Sequence, residues 1–171
     1  MLVNLSEVFT LEGKEKTWEV PFEKSAYESG EGTYPVLASA PIRITVKNLG
    51  NKKLSLTGGT SVTLEIPCAR CLEPVEYSCD LEFDQELDMN VSDEDRVKDL
   101  DEQSYLCGYH LDADMLVCGE LALQLPMRVL CREDCKGLCP GCGVNLNQAP
   151  CRCKKQADPR WAALEQLLNK N

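Results

Sequence analysis

The residues with the most chemistry to offer are the cysteines, eleven of them in a chain of 171 residues. Four fall in one short run, as Cys139-Pro140-Gly141-Cys142-Gly143 followed by Cys151-Arg152-Cys153. A C-x-x-C turn points two thiolates at one ion, and a glycine directly after it admits the tight bend of the backbone. Cys151 and Cys153, two residues apart, lie on one side of an extended segment and can supply a second pair. Four thiolates complete a closed tetrahedral zinc site of the structural kind, with no coordination position left open for a substrate. Asn145, Asn147 and Pro150 suit the intervening loop. The segment has too few apolar residues to fold alone, so zinc is expected to supply the ordering energy.

A second pair, Cys68-Ala69-Arg70-Cys71, follows Ile66-Pro67. One C-x-x-C cannot saturate zinc, and Cys135 is left over from the first site. A second site built from Cys68, Cys71, Cys135 and one more ligand is therefore expected, with Cys131 and Cys79 as candidates for the fourth. Two other readings stand beside it. The pair could be reduced thiols at a turn, or a redox couple with Cys68 as nucleophile. The redox motif belongs at a helix N-terminus in a βαβ pattern, whereas the surroundings here read as strand and turn. Cys107 and Cys118 read as buried small apolar residues, and His110, the sole histidine, has no motif around it.

The compartment decides between metal and disulfide. No run approaches the roughly 18 apolar residues of a membrane helix. Met1 to Trp18 lacks the basic stretch followed by an apolar stretch of a secretion signal. The chain is expected to stay in the cytoplasm, where clustered thiols bind metal rather than pair; an odd count also excludes complete pairing. No phosphate loop, nucleophile elbow or dinucleotide fingerprint is present, so a non-enzymatic role is expected, without a small-molecule substrate or a membrane partner.

The elements that must carry these residues read as β first. Ile42, Ile44 and Val46 alternate with polar residues, Leu54 and Leu56 follow a turn-prone Asn48-Leu49-Gly50-Asn51, and Val62, Leu64 and Ile66 alternate after Thr57-Gly58-Gly59-Thr60. Val75, Tyr77, Cys79, Leu81 and Phe83 predict one or two further strands, and Trp18-Glu19-Val20 a short one. An acidic stretch at 92–103 reads as a loop. A helix is expected from about Asp114 to Leu125, capped by Asp112 or Asp114 and closed by Pro126, with Leu111, Met115, Cys118, Leu121 and Leu125 towards the sheet. Asp158-Pro159 starts a second, short amphipathic helix bearing Trp161, Leu164 and Leu168. The fold expected is α+β: an antiparallel sheet or open barrel with a packed helix over residues 1–127, then a cysteine-rich zinc module and terminal helix over 128–171.

Charge separates along the chain. The net value is −10, yet Asp80 to Glu102 holds eleven acids against two bases, and Arg128 to Asn171 eight bases against four acids. The acidic stretch either is a solvated surface or attracts a basic protein. In the basic end, Arg128, Arg132, Lys136, Arg152, Lys154, Lys155 and Arg160 are candidates for contacts with RNA phosphates; with no aromatic platform among them, such binding would be modest and salt-dependent.

Pro67-Cys68-Ala69-Arg70-Cys71-Leu72-Glu73-Pro74 resembles the C-x-R-C-L-x-P signature of the YceD family. The run Glu133 to Asn147 resembles that family's second signature, and Asp158-Pro159-Arg160-Trp161 its D-P-R tail, so the likeness covers roughly residues 40 to 168. The resemblance implies a protein needed for normal levels of large-subunit ribosomal RNA, whose bacterial gene commonly neighbours that of a large-subunit ribosomal protein and whose plant relatives act in chloroplasts. Some family members lack the C-terminal cysteines but keep the C-x-R-C pair, which favours two separate sites. The expected partners are large-subunit ribosomal RNA, a pre-ribosome or a basic large-subunit ribosomal protein.

Overall fold

The computed structural model describes residues 1–90 and 105–153. The acidic loop 92–103, the helix expected from Asp158, and Lys154, Lys155 and Arg160 lie outside those residues. Most of the described chain is antiparallel sheet, with a single α-helix packed on it. A small sheet joins β1 (Leu2–Asn4), β9 (His110–Asp112) and β8 (Leu106–Cys107) in that order. A larger one comprises β2 (Glu15–Val20), β3 (Ala26–Ser29), β4 (Gly32–Ser39), β5 (Ile42–Gly50), β6 (Lys53–Pro67) and β7 (Pro74–Asp88).

The alternation of Ile42, Ile44 and Val46 does what period two requires: all three are fully buried while Arg43 and Lys47 are exposed. The chain then reverses at Asn51-Lys52, where both residues adopt positive φ (50° and 57°), the two-residue hairpin whose twist matches right-twisted strands. Asn48 is buried beside the turn, where its amide donates to the Val8 carbonyl and accepts from the Gly50 N–H.

The larger sheet is organised around β6. On one edge it pairs with β7 along all 15 residues, from Lys53↔Asp88 to Pro67↔Pro74. On its other edge it pairs first with β5 and then with β4, which lie end to end with only Ala40-Pro41 between them. Thr57-Gly58-Gly59-Thr60 is therefore no turn but the middle of one strand, contrary to the alternation of short strands and turns expected. The glycines serve close approach instead: a Cβ on Gly58 would sit 2.0 Å from the Arg43 carbonyl and 2.8 Å from the Phe83 ring, and one on Gly59 2.6 Å from the Leu81 carbonyl. Thr60 Oγ1 donates to the Ala40 carbonyl at the break between β4 and β5.

The helix α1 (Ala113–Gln124) is capped by Asp112, whose carboxylate accepts from the N–H groups of Asp114 and Met115. Its buried residues are Ala113, Asp114, Leu116, Val117, Glu120 and Leu121, a stripe rotated from the one expected; Met115 is exposed and Cys118 half-buried. Two buried acids on the core side hide the true face from an apolar count. Asp114 accepts from the Met1 amine and the Glu23 N–H, and Glu120 from the amides of Gln85 and Gln124. β1, β3, β4 and the buried Leu5 and Val8 add elements that the sequence pattern did not predict.

Among the described residues the buried side chains form two groups. One fills the space under the sheets and α1. The other is small and consists of Cys68, Cys71 and Cys135, with Val75, Leu130 and Leu138 packed around it.

Candidate metal centres

β6 and β7 end in a six-residue tip, Cys68 to Glu73, carried by the hairpin. The tip closes on itself: the Cys68 N–H donates to the Glu73 carbonyl (2.8 Å) and the Leu72 N–H to the Cys68 carbonyl (2.9 Å). The turn at Cys139 repeats this pattern residue for residue. The Cys139 N–H donates to the Val144 carbonyl (2.9 Å) and the Gly143 N–H to the Cys139 carbonyl (2.8 Å). The position after the second cysteine is left-handed in both, at Leu72 (φ 62°) and Gly143 (φ 73°). The two C-x-x-C segments thus form the same knuckle, one with the glycine that this conformation favours and one with leucine.

Each knuckle meets another pair of cysteines. The sulfurs of Cys68, Cys71, Cys131 and Cys135 all lie within 4.8 Å of one another, as do those of Cys139, Cys142, Cys151 and Cys153. Closer pairs include Cys68–Cys135 at 3.8 Å, Cys71–Cys131 at 3.6 Å, Cys142–Cys151 at 3.5 Å and Cys139–Cys151 at 3.2 Å. A disulfide requires about 2.05 Å, and every cysteine is free. Four sulfurs bound tetrahedrally at about 2.3 Å from zinc stand about 3.8 Å apart, so donor type, number and spacing in both groups fit such an ion. Cys131 is the fourth member of the Cys68 group. Cys79, the other candidate, faces the main core from β7 and cannot reach it. Cys107 is exposed rather than buried, and His110, also exposed on β9, is in neither group.

The backbone favours thiolates in these positions. Burial opposes ionisation of Cys68, but N–H groups of Arg70, Cys131 and Cys71 directed at its sulfur bring the thiol down to about 6. Cys139 also falls to about 6, through the neighbouring Cys151 thiol and the N–H groups of Gly141 and Cys142. Other thiols of each set resist, Cys71 and Cys151 among them. Cys131 is pushed up to about 12 by burial and by the sulfurs of Cys135, Cys71 and Cys68, and Cys153 to about 12 by those of Cys151 and Cys142. A divalent cation reverses that opposition, because it stabilises each sulfur as an anion.

Polar residues that the sequence reading passed over bind the two groups together. Arg70 donates from its guanidinium to the carbonyls of Glu133 and Cys135, and its own carbonyl accepts from the Leu138 N–H. The Ala69 N–H donates to the Val129 carbonyl, which draws the segment leading to Cys131 against the first knuckle. Glu73 accepts from Asn145 (3.0 Å) and from Gln148, and Asn147 donates to the Cys135 sulfur at 3.2 Å. Asn145 and Asn147 stood out in the sequence only as loop formers. A signal was their place between two cysteine pairs, where a side-chain amide is a ready donor to sulfur. Of the basic candidates, Arg128, Arg132, Lys136 and Arg152 are exposed, and Arg132 engages Asn147 and Asp134. Among the described residues no helix is long and apolar enough to cross a membrane.

Comparison with known proteins places this geometry in context. The chain is 34% identical over 113 residues to an uncharacterized protein of Mycobacterium tuberculosis, a match covering 66% of this chain and 55% of that protein. It is 28% identical over 135 residues to the uncharacterized protein YlbN of Bacillus subtilis, covering 77% of each. The match thus spans about half the length of the mycobacterial relative. No solved structure matches the chain. The model of the family described as large ribosomal RNA subunit accumulation protein YceD matches residues 56–168, a span that contains both knuckles and all eight clustered cysteines. The chain belongs to the YceD family.

Proposed function

We propose that the chain is a non-enzymatic, zinc-binding factor of the cytoplasm that acts in large-subunit ribosome assembly by binding, with a basic large-subunit ribosomal protein or ribosomal RNA as its partner. The family description supports the ribosomal role. The absence of catalysis rests on one observation: Cys68 and Cys71, the pair a thiol oxidoreductase would use, converge with Cys131 and Cys135 into a closed set of four. Zinc held by Cys68, Cys71, Cys131 and Cys135, and by Cys139, Cys142, Cys151 and Cys153, would supply structural ordering and leave no position for a substrate. Residues 1–127 and 128–171 are then two units, with 128–153 of the second folded onto the hairpin tip by metal; the separation of the two buried groups supports this.

Between the two partner classes, the surface charge favours a basic protein. β7 carries Glu76, Asp80, Glu82, Asp84 and Glu86 at alternate positions on its exposed face. Asp80, Glu82 and Asp84, with Glu19, border an open groove of about 910 Å³ over Gly58 and Gly59. Among the described residues Arg43 is the one base in its lining, and it is already paired with Glu19 at 3.0 Å. An extended basic segment fits such a groove, whereas RNA phosphate is repelled from it. The test is sedimentation of the tagged native protein from lysate, with bound RNA and proteins identified, repeated for Asp80→Asn/Glu82→Gln/Asp84→Asn and for Arg128→Gln/Lys136→Gln/Arg152→Gln. Loss of a basic ribosomal protein in the first variant supports this reading. Loss of co-migrating large-subunit RNA in the second alone would give the site to RNA instead.

A further inference from the structure

The loop that joins the two halves of the Cys139 site does not look after that site alone. Residues 143–150 run from Cys142 to Cys151, and three of their side chains reach back to the Cys68 site. Asn147 donates from Nδ2 to the Cys135 sulfur (3.2 Å), while its Oδ1 accepts from the Lys136 N–H (2.8 Å) and the Arg132 guanidinium (2.8 Å). Asn145 and Gln148 both donate to Glu73 Oε1. Glu73 closes the first knuckle through its carbonyl, and its second carboxylate oxygen lies 4.0 Å from the Cys71 sulfur.

None of the loop residues 143–150 is fully buried, Val144 and Leu146 included, so little apolar burial holds them in this shape, and ordering each residue costs about 1–2 kcal/mol. A metal bound by Cys142 and Cys151 fixes the loop at both ends and holds Asn147 at Cys135. Donors to a metal-bound sulfur, like other outer partners of a ligand, change metal affinity about 10- to 100-fold. Coupling of binding free energies is reciprocal. From this geometry we infer that the two four-cysteine sites fill cooperatively, with Asn147 as the positioning residue through which the Cys139 site raises the metal affinity of the Cys68 site. The inference rests on the zinc reading above and adds an order of loading to it.

The test is competitive titration of the full chain with zinc against a chromogenic chelator, together with cobalt(II) spectra that report tetrathiolate coordination. Three variants are compared with the unaltered chain. Cys142→Ser/Cys153→Ser disables the second site. Asn147→Asp keeps both acceptor contacts, to Lys136 and Arg132, and replaces the donor to Cys135 by a carboxylate oxygen, which loses the hydrogen bond and repels the thiolate. The third combines them. The expected result is two ions per unaltered chain, with the Cys68 site weakened about 10- to 100-fold by either change and no further by the combination. Asn147→Asp should still bind two ions and should shift the sulfur-to-cobalt charge-transfer band of the Cys68 site, which a merely structural role for the loop would not move. Two ions in the unaltered chain, with the Cys68-site affinity unchanged both in Cys142→Ser/Cys153→Ser and in Asn147→Asp, would overturn the coupling and leave the zinc reading standing. Fewer than two ions in the unaltered chain would overturn the zinc reading and the coupling with it.

Discussion

Leu72 is held in the left-handed region at φ 62° with most of its side chain in solvent, at the position its twin knuckle gives to Gly143. A non-glycine residue there costs roughly 1–2 kcal/mol, and glycine returns about 0.4–1 kcal/mol of that as extra freedom in the unfolded chain. Leu72→Gly is therefore expected to stabilise the protein by up to about 1 kcal/mol in urea denaturation followed by circular dichroism. Gly143→Ala should lower stability by about the same amount. A clear loss on Leu72→Gly would mean that the side chain contributes packing, which its exposure argues against. At this scale the sequence was informative about which atoms could ligate and nearly silent about what supports them. Cysteine spacing announces a pair, because C-x-x-C has few other uses in a chain like this. Cys131 over Cys79 could not be settled by spacing: the choice depends on which way β7 turns its odd residues, and the pleat sends Cys79 into the core. Spacing gave Asn147 no role, since a hydrogen bond to sulfur is made by whichever amide the fold delivers.

Strand β6 shows how a turn signal is overridden by register. Its buried residues Leu54, Leu56, Val62, Leu64 and Ile66 are all even-numbered, so the period-two pattern passes through Gly58-Gly59 without a break. A true turn between two strands has no reason to preserve that parity. The glycines are there because β5, β6 and the Phe83 ring crowd together, and Gly58→Ala would place a methyl group 2.0 Å from a backbone carbonyl that cannot swing aside. A loss of more than about 3 kcal/mol is expected, seen as a fall in melting temperature of about 10 °C or more. Gly30→Ala, with open space around it, is the control and should stay within about 0.5 kcal/mol. Helix α1 teaches the converse. Its ends were legible from Asp112 and Pro126, but its buried face was not, because Asp114 and Glu120 sit on the core side and find partners from β7 and the chain start. Sequence periodicity scores apolar residues only, so an acid satisfied by tertiary hydrogen bonds erases the stripe it belongs to.

At the scale of the molecule, among the described residues the main core has no cysteine cluster in it, and the small core around Cys68, Cys71 and Cys135 is almost nothing but candidate ligands. A chelator should therefore act locally. On removal of metal, amide protection is expected to vanish over residues 128–153 and at the hairpin tip, and to persist in β5, β6 and α1, as hydrogen exchange read by mass spectrometry would show. Global loss of protection would mean instead that the sheet depends on the metal. Charge was legible at this scale from composition, although only the structure turned half of the acidic run into one face of β7; the remainder, at 92–103, lies outside the described residues.

The knuckle at the tip of β6 and β7 sets a clock. Cys68 and Cys71 come together within one hairpin, whereas Cys131 follows Cys71 by 60 residues. At about 5–20 residues per second of synthesis, the first two thiols wait about 3–12 seconds for the ligands that complete their set. During that interval Cys68 and Cys71 are free thiols without the two partners that would complete their set. The nascent chain, and not the finished protein, is where this fold is most open to oxidation, and an oxidant pulse during translation should harm it far more than the same pulse afterwards.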